Sequence, residues 1–189
     1  MILAAGYGTR LLPHTKRIPK PLFPVLDKTL LEYAIETALG ANPEHIVVNT
    51  HHLAEHIAGF LEGRDFGVEI AVSHEPQILG TAGGIKAAER WLRGGHFAVL
   101  NSDILIGVEW ERLESFHLEK GAIATLALKD NPDPSRYGVI GVDGEGRVTR
   151  FVDVVNLENS GGARPFMFTG ASILSPGISN GLLRVGRSR

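Results

Sequence analysis

The sequence predicts a doubly wound α/β fold: a mostly parallel sheet covered by helices on both faces, with an antiparallel, strand-rich segment added in the second half. Two observations carry this. Up to about residue 120, short apolar runs such as Ile46-Val47-Val48 alternate with segments of helical period. Beyond it, strand-like runs follow one another across turns, of which Asp143-Gly144-Glu145-Gly146 is the clearest. The 189 residues contain no internal repeat, low-complexity tract or linker, so residues 1 to 175 read as one domain.

Residues 1 to 5 form the first apolar strand and run into a loop holding Gly6 and Gly8. Prolines at 13, 19, 21 and 24 forbid a regular helix, so the chain stays an extended loop to Val25. Residues 30 to 39 place Leu30, Leu31, Ala34, Ile35, Ala38 and Leu39 at helical spacing before Gly40 stops the helix. A strand over 45 to 49 is followed by a helix through Leu53, Ile57, Phe60 and Leu61, and the next strand covers 68 to 73. After the loop 74 to 80, Thr81 is the candidate N-cap of a helix reaching about Leu92. A strand over 97 to 100 breaks at Asn101-Ser102-Asp103, and 109 to 119 return to helical period. The strand-rich segment covers 123 to 128, 139 to 142, 148 to 152 and 166 to 174. Residues 176 to 189 carry no apolar period and are expected to be disordered or loosely packed.

Composition excludes several functions. A net charge of -2 gives no global field for nucleic acid, so any anion is held by local groups. Without cysteine there is no disulfide framework or thiolate metal site, which fits a reducing compartment. No apolar run approaches the roughly 18 residues of a membrane span, and the first apolar stretch is too short for a signal peptide. A cytoplasmic protein with no membrane partner is expected; assembly with further copies is left open.

The loop after the first strand suits a polyphosphate: its glycines let backbone N–H groups turn inward, and Arg10, Lys16, Arg17 and Lys20 add positive charge with no acid among them. It is not a Walker loop, which needs Gly, four residues, then Gly-Lys-Ser/Thr. Nor is it a dinucleotide fingerprint, because position 11 is Leu and prolines follow, which disfavours a dinucleotide-dependent oxidoreductase. In a Rossmann-like sheet the ligand lies beyond the carboxyl ends of the strands, where residues 6 to 10, 75 to 80 and 101 to 103 all fall. Asp103 follows a buried strand and suits a cation, Mg²⁺ beside a polyphosphate. Gly80-Thr81-Ala82-Gly83-Gly84 permits either a flat base or close helix packing. Lys20 stands between two prolines where it could neutralise charge on phosphate. His51, His52 and His56 lack the order of a zinc helix.

Leu3-Ala4-Ala5-Gly6-x-Gly8-Thr9-Arg10-Leu11-x-Pro13-x-Thr15, with Pro19-Lys20-Pro21-Leu22-x-Pro24-Val25, resembles the signature of the sugar-1-phosphate nucleotidyltransferases. The resemblance continues through Glu75, Leu79-Gly80-Thr81-Ala82-Gly83, Asp103, Tyr137-Gly138-Val139 and Thr169-Gly170. The Leu-Gly-Thr-Ala-Gly form is most similar to the mannose-1-phosphate guanylyltransferase branch, while Phe168-Thr169-Gly170 is similar to small N-acetylmuramate-1-phosphate uridylyltransferases.

The resemblance implies an NTP and a sugar 1-phosphate as substrates, Mg²⁺ as cofactor, and direct in-line transfer with release of pyrophosphate. It assigns Arg10, Lys20 and Asp103 to catalysis, and Asp103 to the metal. It gives the nucleotide to Leu3, Ala4, Ala5, Gly6, Gly8, Thr9, Arg10, Glu75, Gly80, Thr81 and Ala82, and the sugar to Asn101, Gly138, Asp153, Thr169 and Gly170. Where the family shows Phe-x-Glu-Lys-Pro, this chain has Phe151-Val152-Asp153-Val154-Val155, leaving Arg136, Arg150 and Arg164 as candidate cations for the sugar phosphate. The family's late metal-binding acid has no counterpart before Arg189, so weaker Mg²⁺ binding and a reduced rate are expected. A non-catalytic nucleotide or nucleotide-sugar binding module is the alternative of another class.

Overall fold

The computed structural model describes residues 1 to 155 and 164 to 178. Within them the protein has two compact units, one formed by residues 1 to 125 with the chain from Ala171, the other by residues 126 to 170.

The first unit opens with β1 (Ile2–Leu3) and a small antiparallel hairpin, β2 (Pro24–Val25) and β3 (Lys28–Thr29). Then come α1 (Leu30–Leu39), β4 (His45–Thr50), α2 (Ala54–Glu62), β5 (Glu69–His74), α3 (Gly80–Ala87), α4 (Glu89–Leu92), β6 (Phe97–Asn101) and α5 (Trp110–Lys120). β1 lies between two parallel neighbours, with Ile2 opposite Val48 of β4 and Leu100 of β6, and β4 pairs with β5 from His45–Glu69 to Thr50–His74. Side chains alternate across the pleat, so Ile2, Val48 and Leu100 share one face and Met1, Val47 and Val99 the other. α1 covers the first face with Leu31 and Ile35; Ile85 and Ala88 of the α3 region pack on the second, and all of these are buried. That is the physical content of the doubly wound arrangement: apolar residues run on without alternation in the central strands β1, β4 and β6 because both of their faces are covered.

α1 is fixed at its start by a reciprocal cap. The Thr29 hydroxyl accepts from Glu32 N at 3.2 Å while the Glu32 carboxylate accepts from Thr29 N at 2.7 Å. α3 differs from the sequence expectation. Leu79 occupies the cap position and Thr81 lies inside the helix, because Leu79 N is taken by the carboxylate of Glu75 at 2.9 Å.

In the second unit, α6 (Pro134–Tyr137) precedes β8 (Ile140–Val142), β9 (Val148–Phe151) and β10 (Val154–Val155), which pair antiparallel in order. β7 (Ala124–Asp130) leads into this unit and pairs with β11 (Arg164–Leu174). β11 pairs antiparallel with β8 over residues 164 to 166, and in the first unit with β6 over 171 to 174. The expected turn at 143 to 146 is present: the Asp143 carboxylate accepts from Glu145 N and Arg147 N, both at 2.9 Å. The mixed α/β fold, a largely parallel core sheet plus an antiparallel strand-rich region, is therefore as the sequence indicates. Of the tail expected to be loose, residues 179 to 189 lie outside the described residues, whereas Ile178 packs against the core cluster around Met1 and Val99. No helix of the described residues is long and apolar enough to cross a membrane.

Candidate functional site

A cavity of about 340 Å³ opens where β1 and β6 end. Its lining includes Leu3, Ala4, Ala5, Gly6, Gly8, Thr9, Arg10, Lys20, Gly80, Thr81, Asn101 and Asp103, all singled out in the sequence, together with Leu11, Pro21, Asn49, Ile78 and Ser102. The parallel register explains the convergence, since Leu3 stands opposite both Asn49 and Asn101, which brings the ends of the three strands to one side of the sheet.

The glycine loop is held from behind. Gly8 has φ 61°, and a Cβ there would sit 2.9 Å from the Thr15 methyl and 3.1 Å from Lys20 Cβ, so no larger residue fits without displacement. The buried Thr15 hydroxyl donates to Gly8 O at 3.2 Å, and Leu11 N donates to the same oxygen at 2.9 Å. A Cβ at Gly6 would meet no protein atom within 4 Å. The loop is also less extended than its prolines suggested. Single 3₁₀ turns at Thr9–Leu11, His14–Lys16 and Lys20–Leu22 satisfy backbone groups locally, as short i to i+3 turns can where prolines exclude a longer helix.

The opposite wall rests on two buried polar residues. Ala4 N donates to Asn49 Oδ1 at 2.8 Å, and Asn49 Nδ2 donates to Glu75 Oε1 at 2.7 Å, while Glu75 Oε2 takes Leu79 N. Glu75 is 1% exposed and does not line the cavity. With both carboxylate oxygens engaged, it holds the Leu79 backbone and the Asn49 side chain in place and does not face the cavity. Between the two readings of the glycine run, Gly84 belongs to close packing: a Cβ there would lie 2.6 Å from Glu75 Oε1 and 2.7 Å from Asn49 Nδ2. Ala82 lies within α3 and is absent from the lining. Asn49 was not singled out from the sequence, although one amide side chain ending the apolar run Ile46-Val47-Val48 was the available signal.

The charged groups of the cavity are Arg10, Lys20 and Asp103. Lys20 Nζ donates to Asp103 Oδ2, in a pair about one third exposed on each side. Among the described residues there is no group of three or more His, Asp or Glu side chains able to hold a metal ion. His51 bonds to Tyr7 and the Glu75 carbonyl, His52 to the Thr15 carbonyl, and His56 lies 3.9 Å from Glu55. Asp103 is the one carboxylate in the cavity lining, and a cation held there would take one carboxylate from that lining and complete its shell with water and ligand oxygens, as Mg²⁺ does.

The other sequence candidates lie in the second unit. The Thr169 hydroxyl is buried and donates to Ala127 O at 2.7 Å, and Gly170 has φ 85°. Gly138 has φ 68°, and its carbonyl accepts from Asn131 Nδ2. Asp153 is exposed in the turn after Val152. Arg150 Nε donates to Val152 O at 2.9 Å, Arg136 sits 5.3 Å from the Tyr137 ring centroid, and the Arg164 side chain lies outside the described ones.

Comparison with known proteins gives a consistent picture. The family described as nucleotidyl transferase matches residues 1 to 153. A UTP–glucose-1-phosphate uridylyltransferase of Synechocystis sp. is 39% identical over 174 residues, covering 85% of this chain and 45% of that protein. The mannose-1-phosphate guanylyltransferase catalytic subunit beta of Danio rerio is 32% identical over 180 residues, covering 92% of this chain and 50% of that one. The chain thus spans about half the length of these relatives. A crystal structure of apo UDP-glucose pyrophosphorylase shares the fold, with a TM-score of 0.79 at 24% identity, over 100% of this chain and 81% of that one.

Proposed function

We propose, from the premise that this chain belongs to the nucleotidyl transferase family, that it transfers a nucleoside monophosphate from an NTP to a sugar 1-phosphate and releases pyrophosphate. The observation that carries the reading is the cavity itself, which sets a glycine cradle and Arg10 beside a lysine–carboxylate pair at the carboxyl end of a parallel sheet. In the reaction a phosphate oxygen of the sugar 1-phosphate attacks the α-phosphorus in line, and the bond from that phosphorus to the pyrophosphate oxygen breaks. The protein's part is to position the reactants and stabilise charge.

The loop from Gly6 to Arg10 would hold the triphosphate, and the Leu79-Gly80-Thr81 backbone would face the nucleoside. Lys20 would leave Asp103 for the α-phosphate, where negative charge grows as the new bond forms. Asp103, freed from that pairing, would hold Mg²⁺ with the phosphate oxygens. The ion would supply further charge neutralisation on the triphosphate. This exchange keeps the site balanced, because each charge in the Lys20–Asp103 pair passes to an opposite one. Gly138, Asp153, Thr169, Gly170 and Asn101 remain our assignment for the sugar.

Our finer reading is GTP with mannose 1-phosphate, supported by Leu79-Gly80-Thr81-Ala82-Gly83 and by the guanylyltransferase relatives. The uridylyltransferase relative, with 39% identity, favours UTP as the second reading. Pyrophosphate release from each NTP paired with mannose, glucose and N-acetylated sugar 1-phosphates separates them. Highest turnover with GTP and mannose 1-phosphate is expected. Preference for UTP would overturn the base assignment, and NTP binding without release from any pair would favour the non-catalytic module. Lys20→Ala should lower kcat on the order of 100- to 1000-fold at saturating NTP, and unchanged turnover would remove Lys20 from its role.

A further inference from the structure

Tyr7, His51 and His52 lie directly behind the glycine cradle, and none of them lines the cavity. His51 Nδ1 is 2.8 Å from Glu75 O, which can only accept, so that nitrogen carries the proton. In the neutral ring Nε2 is then a lone pair, and the Tyr7 hydroxyl 3.0 Å away donates to it. His52 Nε2 lies 2.5 Å from Thr15 O and must be the protonated nitrogen of its ring. The Tyr7 ring meets His51 edge-on at 5.3 Å and tilts over His52 at 5.7 Å, so the three rings form a wedge.

Each contact reaches a different arm of the cradle. Tyr7 stands between Gly6 and Gly8, so the His51 bond fixes the turn itself. His52 fixes Thr15, whose hydroxyl holds Gly8 O and whose methyl group fills the space beside Gly8. The His51 partner is the Glu75 carbonyl, and the Glu75 side chain orients Asn49 and Leu79 on the opposite wall. The histidine pair at the end of β4 therefore joins both walls of the cavity without touching its interior.

We propose that His51 and His52 are positioning residues that hold the phosphate cradle in its binding shape, through Tyr7 and Thr15 respectively. The proposal rests on the cradle being the triphosphate site, as assigned above. A loop of glycines and single turns has many shapes available, and holding one beforehand raises affinity by lowering the ordering cost on binding.

The test is NTP binding by calorimetry, with GTP and UTP as probes, beside steady-state kinetics and thermal melting. His52→Ala should weaken binding of the better NTP about tenfold and raise its KM by the same factor. The KM for sugar 1-phosphate should stay within about twofold. His52→Gln places an amide N–H near the lost Nε2–H and should recover binding to within about threefold of wild type. Tyr7→Phe deletes the hydroxyl of an exposed side chain, is expected to leave the melting temperature unchanged, and should weaken NTP binding about threefold; it keeps the test open if His52→Ala fails to fold. Wild-type affinity in both His52→Ala and Tyr7→Phe would overturn the positioning role, as would equal losses in His52→Gln and His52→Ala. Absence of NTP binding by the wild-type protein would overturn the site assignment and this proposal with it, whereas binding without turnover would leave the affinity comparison decisive.

Discussion

Gly84 shows how a single missing methyl group sets the shape of a site. The helix that follows the cavity wall approaches Asn49 and Glu75 so closely that a Cβ would lie inside contact distance of both. Gly84→Ala should therefore displace this buried pair and cost about 1–3 kcal/mol, the usual range for overpacking. In a melting experiment this is a fall of roughly 2 to 10 °C, and an unchanged transition would mean that the helix can move aside freely. The same residues show what sequence could and could not give. Gly8 was legible as a turn glycine because its neighbours left few alternatives. Gly84 was not, because a glycine that admits a ligand and a glycine that admits a buried carboxylate look alike until the neighbour across the sheet is known. Asn49 went unnoticed for a similar reason: its partners, Ala4 and Glu75, are distant in sequence and meet it only through parallel register.

At the scale of elements, the helices and parallel strands were legible wherever apolar periodicity was strong, and their edges were decided by polar contacts that periodicity does not encode. The Thr29-x-x-Glu32 box sets the start of α1, and Thr29→Ala should cost about 1 kcal/mol in stability by chemical denaturation. Thr81 was the expected cap of α3, but Glu75, six positions earlier, reached Leu79 N first.

A second long-range contact joins α5 to the end of β11. The buried His117 ring bonds to the Thr125 hydroxyl at 2.8 Å and the Ser175 hydroxyl at 3.0 Å, and Ser175 Oγ in turn donates to Ala122 O. Desolvation holds His117 below its ordinary value near 6.5, with neighbouring His96 acting in the same direction and Glu114 against it. The unfolded chain takes up a proton where the folded chain resists it, so stability from this site is lost as pH falls below about 6.5. Melting temperature should decline as pH is lowered from about 8 to about 5, and His117→Gln should flatten that decline. An identical slope in the variant would exclude His117 as its source.

For the molecule as a whole, the parallel unit carries the cavity at the carboxyl end of its strands. The fold class was readable because the central strands carry unbroken apolar runs, Ile46-Val47-Val48 and Ala98-Val99-Leu100, while the added strands announced themselves by turns such as 143 to 146. The residues proposed for the sugar were legible as a pattern only. Thr169 and Gly138 engage partners inside their own unit, and their sequence signal records that local structure as well as any ligand. Binding should be visible as global stability. NTP at about 100 times its Kd should add about 2.7 kcal/mol and raise the melting temperature by roughly 5 to 10 °C, and no shift would argue against a nucleotide site in the folded protein.

The proposed nucleotidyl transfer breaks one phosphoanhydride bond of the NTP and forms another to the sugar 1-phosphate, and ³¹P NMR of the wild-type protein with Mg²⁺, an NTP and a sugar 1-phosphate observes it directly. Pyrophosphate and a nucleotide-sugar diester should grow together in equal amounts as both substrates decline, and neither should form when the sugar 1-phosphate is left out. Unchanged substrates across the NTP and sugar panel, or orthophosphate released without any nucleotide-sugar, would contradict the account.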